Sequence, residues 1–171
     1  MDPTRRFAEV TVDRAAARSL PGGEAELAHA LDVACAVLAA EQVGAAARAL
    51  AITVDYAKSR VQFGRAIGSF QALKHRMADM YVLVESARSA AYAAGDALDR
   101  GDGDARVAVA TAKTYCSQAF STVAAEMIQL HGGIGITWEH DAHLYFKRAH
   151  SSSQLFGDPA QHLGRRELVH S

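Results

Sequence analysis

At 171 residues the chain has single-domain length and can bury a core without help from disulfides or metals. Half of it is hydrophobic, largely alanine, with only 7% aromatic residues, a profile that favours close-packed helices over a β-sandwich. A net charge of −1 offers no electrostatic basis for holding nucleic acid or an anionic membrane surface.

The chain opens with "MDPTRRFAEV", which has no apolar signal core, and no run of about 18 apolar residues follows anywhere, so a cytoplasmic location is expected. "RRFAEVTVD" alternates like a strand until "SLPGG" breaks it. A lone strand cannot stabilise itself, so residues 1–23 are expected to be an arm that pairs elsewhere, or the end of something larger. From Glu24 the pattern turns helical. Leu27, Leu31, Ala34 and Leu38 share one face, and Lys58 and Arg60 suit the negative end of that helix.

After a glycine-containing connection, Phe70, Leu73, Met77, Met80, Val84, Ala87, Ala91, Ala94 and Leu98 predict a second helix. "RGDGDA" ends it, with Asp104 as the N-cap of a third. Val109, Ala112, Cys116, Ala119, Val123, Met127 and Leu130 stripe that third helix up to "HGGIG". A fourth is predicted over "WEHDAHLYFKRAHSSSQL" and a short fifth over "PAQHLGRRELV". Residues 24–171 thus predict an all-α fold, an up-and-down four-helix bundle with a short terminal helix. Its small-residue faces imply close helix approach and one face left for subunit contact.

Cys35 and Cys116 sit inside apolar helical patterns and read as buried small hydrophobes in a reducing compartment. His140 and His143 lie three apart without an acidic partner on their face, so no metal site is expected. "SRVQFGRAIGSFQ" is more than a helix connection needs, with two glycines, two arginines, two phenylalanines and two glutamines.

In order, "SRVQFGRAIGSFQALKHRMADM", "AEMIQLHGGIGIT" and "KRAHSSSQLFGDPAQH" resemble the C-terminal helical domain of the acyl-CoA dehydrogenase family, from about Glu24 to the end. "DPTRRFAEVTVD" looks like the last strand of that family's middle β-domain. The N-terminal helical domain and most of that β-domain have no counterpart here. The resemblance implies FAD as cofactor, an acyl-CoA thioester as substrate, and assembly as a homo- or hetero-oligomer, a dimer of dimers, through this domain. It also implies that the Ser59–Gln71 loop grips the adenosine diphosphate end of a FAD bound mainly to a neighbouring subunit.

The residue types suit that task. Arg60 offers a fork of donors, Phe63 a flat face, Gly64 and Gly68 close backbone approach, and Gln71 an amide at a helix start. By the same resemblance Gln129, Gly132 and Gly133 line another part of the cofactor site.

The chain departs from the family at the catalytic base. The usual Glu belongs to a Y-E-G-T-like turn after the fourth helix, where this chain reads "LFGDPAQ" with Gly157 at the Glu position. Members that carry the Glu on the first helix of this domain would place it at Ala34. Asp158 is the remaining carboxylate of the turn, and it reads better as the N-cap of the last helix, followed by Pro159. Glu41 is a weaker candidate, expected to pair with a neighbouring helix. Three functions stay open: the FAD-binding and oligomerisation part of an acyl-CoA dehydrogenase, a non-catalytic subunit completing a partner's flavin site, or a related flavin oxidase or monooxygenase.

Overall fold

The computed structural model describes residues 2–19 and 21–167, with the backbone alone over 165–167. Five helices follow the arm: α1 (Gly23–Ser59), α2 (Gln71–Arg100), α3 (Ala105–His131), α4 (Ala142–Gln154) and α5 (Pro159–Glu167). Between α1 and α2 lie two short strands, β1 (Val61–Gln62) and β2 (Arg65–Ala66), and a 3₁₀ turn (Ile67–Ser69). A second 3₁₀ turn (Gly132–Ile136) follows α3. The architecture is the expected helical bundle. The fourth helix starts at Ala142 rather than at Trp138, and the His140 ring nitrogen Nδ1 accepts the Ala142 N–H at 3.1 Å.

Every residue of the α3 stripe is buried, as are Met80, Val84, Ala87, Ala91 and Ala94 of α2. Truncating one of the larger buried side chains of α3, such as Phe120 or Met127, to alanine would cost about 2–5 kcal/mol. On α1 the expected stripe shifts: Leu27 and Leu31 are exposed, and burial begins at Cys35 and Leu38. The cause is length. Asp32 pairs with Arg106 at the start of α3 (3.2 Å), so the turns of α1 before Asp32 overhang the bundle. By length and composition α1 could also cross a membrane, but its face from Cys35 to Ala57 packs into the bundle core.

Gly101, at φ 65°, ends α2 by sending its N–H to Ala97 and Leu98 carbonyls, while Asp102 N–H reaches Ala97 O at 3.0 Å. Asp104 is the N-cap of α3 by position, yet its side chain makes no capping bond.

The arm forms no strand among the described residues, since strand structure needs a hydrogen-bonded neighbour and none is offered. Its first residues dock instead on α1 and α4. Asp2 accepts hydrogen bonds from Thr4 and from the Ser151 hydroxyl, and Arg148 Nη1 donates to Thr4 Oγ1 at 2.8 Å. Glu41 bridges Arg5 (2.6 Å) and Arg148 (2.9 Å). Glu41 thus pairs with a neighbouring helix, as its sequence position suggests.

Candidate functional site

The Ser59–Gln71 connection is a β-hairpin. Val61 pairs with Ala66 and Gln62 with Arg65, and Ile67 N–H closes its base on Arg60 O at 2.8 Å. The two turn residues, Phe63 and Gly64, have φ of 54° and 76°, the pair of positive values a right-twisted two-residue turn requires. Glycine satisfies this at 64 without strain, whereas Phe63 carries a Cβ into the left-handed region.

Phe63 is 91% exposed at the tip, set edge-on to Phe70 with ring centres 6.2 Å apart. The Arg65 guanidinium lies 4.0 Å over the Phe70 ring, an assignment the sequence alone did not suggest. Gly68 lies against α1: a Cβ there would meet the Ala57 carbonyl oxygen at 2.9 Å, so the glycine permits this close contact.

Arg60 is the C-cap of α1; its backbone N–H bonds Tyr56 O, and its guanidinium has no ion-pair partner among the described residues. Gln71 is the first residue of α2, exposed, with its amide nitrogen 3.5 Å from His75 Nε2. No side chain caps the start of this 30-residue helix, whose N-cap is Phe70.

The C-terminal end of α3 reaches the same end of the bundle. Tyr56 OH donates to His131 O at 3.3 Å, and Arg76 of α2 forms a two-pronged pair with Glu126 of α3 (2.6 and 2.9 Å). Gln129, Gly132 and Gly133 are all exposed, and Gly132 has φ 62°. A dinucleotide diphosphate needs cations, free helix N–H groups and a flat apolar face. The unpaired Arg60, the uncapped α2 start and the outward Phe63 supply all three, so the donor set fits the adenosine diphosphate end of FAD.

Beneath these loops lies a ring stack. His131 is 3% exposed, its centroid 4.4 Å from Tyr56 and 4.3 Å from His140. Burial, with the neighbouring His140, holds its pKa below the ordinary histidine value against the hydrogen bond to Met127 O. His143 packs edge-on against Trp138, over which Lys147 also sits. Among the described residues no three His, Cys, Asp or Glu side chains gather as a metal-holding group.

The α4–α5 turn is built differently. Phe156 and Gly157 have φ of 58° and 101°. A Cβ on Gly157 would come within 3.0 Å of Gln161 Oε1 and 3.1 Å of His162 Nε2. Matching Gly157 to the glycine of the Y-E-G-T turn would set Phe156 opposite the family's Glu, and in either register no carboxylate stands there.

Asp158 and Gln161 cap α5 reciprocally: Gln161 N–H donates to Asp158 Oδ1 (2.8 Å) and Asp158 N–H to Gln161 Oε1 (3.1 Å). His162 Nε2 lies 3.0 Å from Phe156 O. Upstream, the fully buried Lys113 donates to Ser153 O (2.9 Å), Ser152 O (3.5 Å) and Ser117 Oγ (3.3 Å) in the last turn of α4 and on α3. Gln42 of α1 completes this network through Ser117 and Ser152, each at 3.1 Å. Burial lowers the pKa of Lys113 and pushes the thiol of nearby Cys116 up to about 12, so that cysteine stays protonated. Lys113 escapes a reading of the sequence because its partners Ser152 and Ser153 lie 39 and 40 residues away on α4.

Residues 22–164 match the family described as acyl-CoA dehydrogenase, C-terminal domain. Acyl-CoA dehydrogenase IpdE2 of Mycobacterium tuberculosis is 54% identical over 98% of this chain and 49% of its own length. The IpdE2 of Mycolicibacterium smegmatis is 51% identical over 98% and 50%. The chain thus spans about half the length of these relatives.

Among solved structures, the "Tcur3481-Tcur3483 steroid ACAD G363A variant" superposes with a TM-score of 0.81 at 37% identity, covering 87% of this chain and 42% of that one. The ChsE4–ChsE5 complex from Mycobacterium tuberculosis gives 0.76 at 34% identity, covering 82% and 39%. With fold, motif order and sequence in agreement, this chain belongs to the acyl-CoA dehydrogenase family through its C-terminal helical domain.

Proposed function

We propose that this chain is the non-catalytic half of a flavin-dependent, heteromeric acyl-CoA dehydrogenase. It grips the adenosine diphosphate end of FAD and supplies assembly surface, while another polypeptide provides the base. When bound, FAD accepts the β-hydride of the acyl-CoA; the residues here bind and orient it. Arg60 and the α2 start hold the diphosphate, Phe63 covers a ring face, and Gln129 with Gly132 and Gly133 approach from the end of α3.

One observation carries the proposal. The turn where the family keeps its Glu contains a single carboxylate, Asp158, and both partners of its capping pair are internal. Proton abstraction needs a carboxylate within hydrogen-bond reach of the substrate α-carbon. Two features support a heteromer. Structural neighbours include the ChsE4–ChsE5 complex and a protein described by the paired name Tcur3481-Tcur3483. Val33, Val37 and Tyr92 also leave an apolar groove of about 510 Å³ between α1 and α2.

A steroid-derived acyl-CoA is the substrate class to try first, from the description of the Tcur3481–Tcur3483 protein. The test is anaerobic flavin bleaching by such a thioester in the assembly purified with this chain. Bleaching is expected to vanish when the Glu of the co-purifying chain is changed to Gln. Bleaching by FAD-loaded copies of this chain alone would overturn the proposal.

A further inference from the structure

The two loops assigned to the cofactor are separated by two whole helices in sequence, yet one pair of rings joins them. Tyr56 touches both. Its carbonyl accepts the N–H of Arg60 at 2.8 Å, where the hairpin begins. Its hydroxyl donates to His131 O at 3.3 Å, the carbonyl just before Gly132. Its ring stacks on the His131 ring at an interplanar angle of 25°. His131 in turn rests on His140, which caps the start of α4 through its Nδ1. A shift of His131 therefore moves the hairpin base and the Gly132–Gly133 turn together.

The hydrogen bonds define which form of His131 fits. Its Nδ1 lies 2.7 Å from Met127 O, and a carbonyl only accepts, so Nδ1 carries the proton. Nε2 is then the bare nitrogen, buried and without a hydrogen-bond partner among the described residues. A second proton would have to sit there, facing no acceptor.

The groups around it give no relief. Tyr56 faces it from α1 and His140 from the segment ahead of α4. His143 of α4 is engaged with Trp138, and on α3 itself Glu126 is held by Arg76. Leaving a buried charge uncompensated is among the costliest changes a core can suffer.

We propose that His131 is the positioning residue that ties the two cofactor loops together, and that it does so only as the neutral imidazole. This rests on the reading of those loops as a FAD grip. Flavin binding then favours the closed stack and opposes proton uptake. The sign is fixed by linkage. Burial depresses the folded-state pKa, while a released histidine keeps its ordinary value near 6.5. Retention is therefore full above about pH 6.5 and falls as the pH drops toward the lowered value. One proton allows at most about a tenfold loss of affinity per pH unit.

The experiment measures FAD dissociation from the natural assembly between about pH 5 and pH 8. Wild type should weaken on the acid side. His131→Phe keeps a stacking ring but takes no proton, and its affinity should be flat with pH. Tyr56→Phe keeps both rings and removes only the tie to His131 O; it should lose about two- to tenfold at every pH. A His131→Phe protein with undiminished pH dependence, or a Tyr56→Phe protein binding like wild type, would overturn the inference. Arg60→Ala in the same assay separates the two levels: wild-type retention there would sink the FAD grip itself. Weakened retention there, with wild-type acid dependence in His131→Phe, would sink only the role of His131.

Discussion

At the hairpin end of the bundle, α2 begins on Phe70 with no side chain capping it, Arg60 points outward without an ion-pair partner, and Phe63 stands at the tip of a turn whose backbone it strains. At the α4–α5 turn, α5 begins on Asp158 with a reciprocal cap, His162 meets the Phe156 carbonyl, and Lys113 reaches the last carbonyls of α4. One region leaves donors and an aromatic face unspent; the other consumes its polar groups internally. An isolated domain has no reason of its own to keep a cation, an apolar ring and an open helix start together. A turn with each polar group engaged has little left to offer a substrate. The contrast supports the proposed cofactor grip at the first region and a structural role for the second.

Lys113 is the sharpest probe of the supporting region. Lys113→Ala removes a fully buried four-carbon stem and leaves Ser153 O without its donor, and should cost about 3 kcal/mol in denaturant unfolding. Lys113→Met keeps the volume without the buried charge and should recover most of that loss. Stability should also depend on pH on the alkaline side. Burial lowers the Lys113 pKa in the fold, while the unfolded lysine keeps about 10.4. The fold releases its proton first, so the Lys113 contribution to stability rises as pH climbs through the folded pKa and levels off above the unfolded one, against an opposing fall from the raised Cys116 thiol that both proteins share. The Met variant should lack this rise. Equal alkaline profiles in the two proteins would show that Lys113 is not carrying a buried charge.

At the hairpin end, Arg60→Ala should weaken FAD retention in the assembly by about 1.5–3 kcal/mol, the usual worth of a hydrogen bond to a charged group. Absorbance after dialysis reads the loss. Helix content should not move, because Arg60 lies at the C-cap of α1 with its side chain in solvent. Full flavin occupancy in the variant would erase the contrast between the two regions.

How far the sequence reached follows the same division. The α2 and α3 stripes were legible because those helices are packed along most of their length, so the three–four spacing and burial coincide. Leu27 and Leu31 misled because spacing records amphipathicity and not where the neighbouring helices stop. The hairpin residues were found by motif, but their geometry was not. The contact of Gly68 with the Ala57 carbonyl and the seat of Arg65 over Phe70 depend on how the chain folds back on α1, which no motif records. Tyr56, His131 and Lys113 were invisible for a common reason. Each gains its importance from a partner distant in sequence: 75 residues separate Tyr56 from His131, and 40 separate Lys113 from Ser153.

The smallest expected effect belongs to Asp158, and it tests the contrast most directly. Its carboxylate accepts the Gln161 N–H at 2.8 Å and its own N–H is held by the Gln161 side chain. Pro159 follows at the first helical position, where a missing N–H does no harm and the fixed φ stiffens the start. Asp158→Asn keeps an oxygen acceptor and a short side chain that caps about as well, so stability should change by a few tenths of a kcal/mol. Asp158→Ala removes the cap and should cost about 1 kcal/mol. Neither variant should alter flavin bleaching by acyl-CoA in the assembly, because the carboxylate is committed to α5 and the proposed function puts the base on another chain. A base behaves otherwise: converting it to an amide leaves fold and flavin in place and stops proton abstraction. Lost bleaching in Asp158→Asn with FAD still bound would therefore make Asp158 the base and reverse the roles assigned to the two regions.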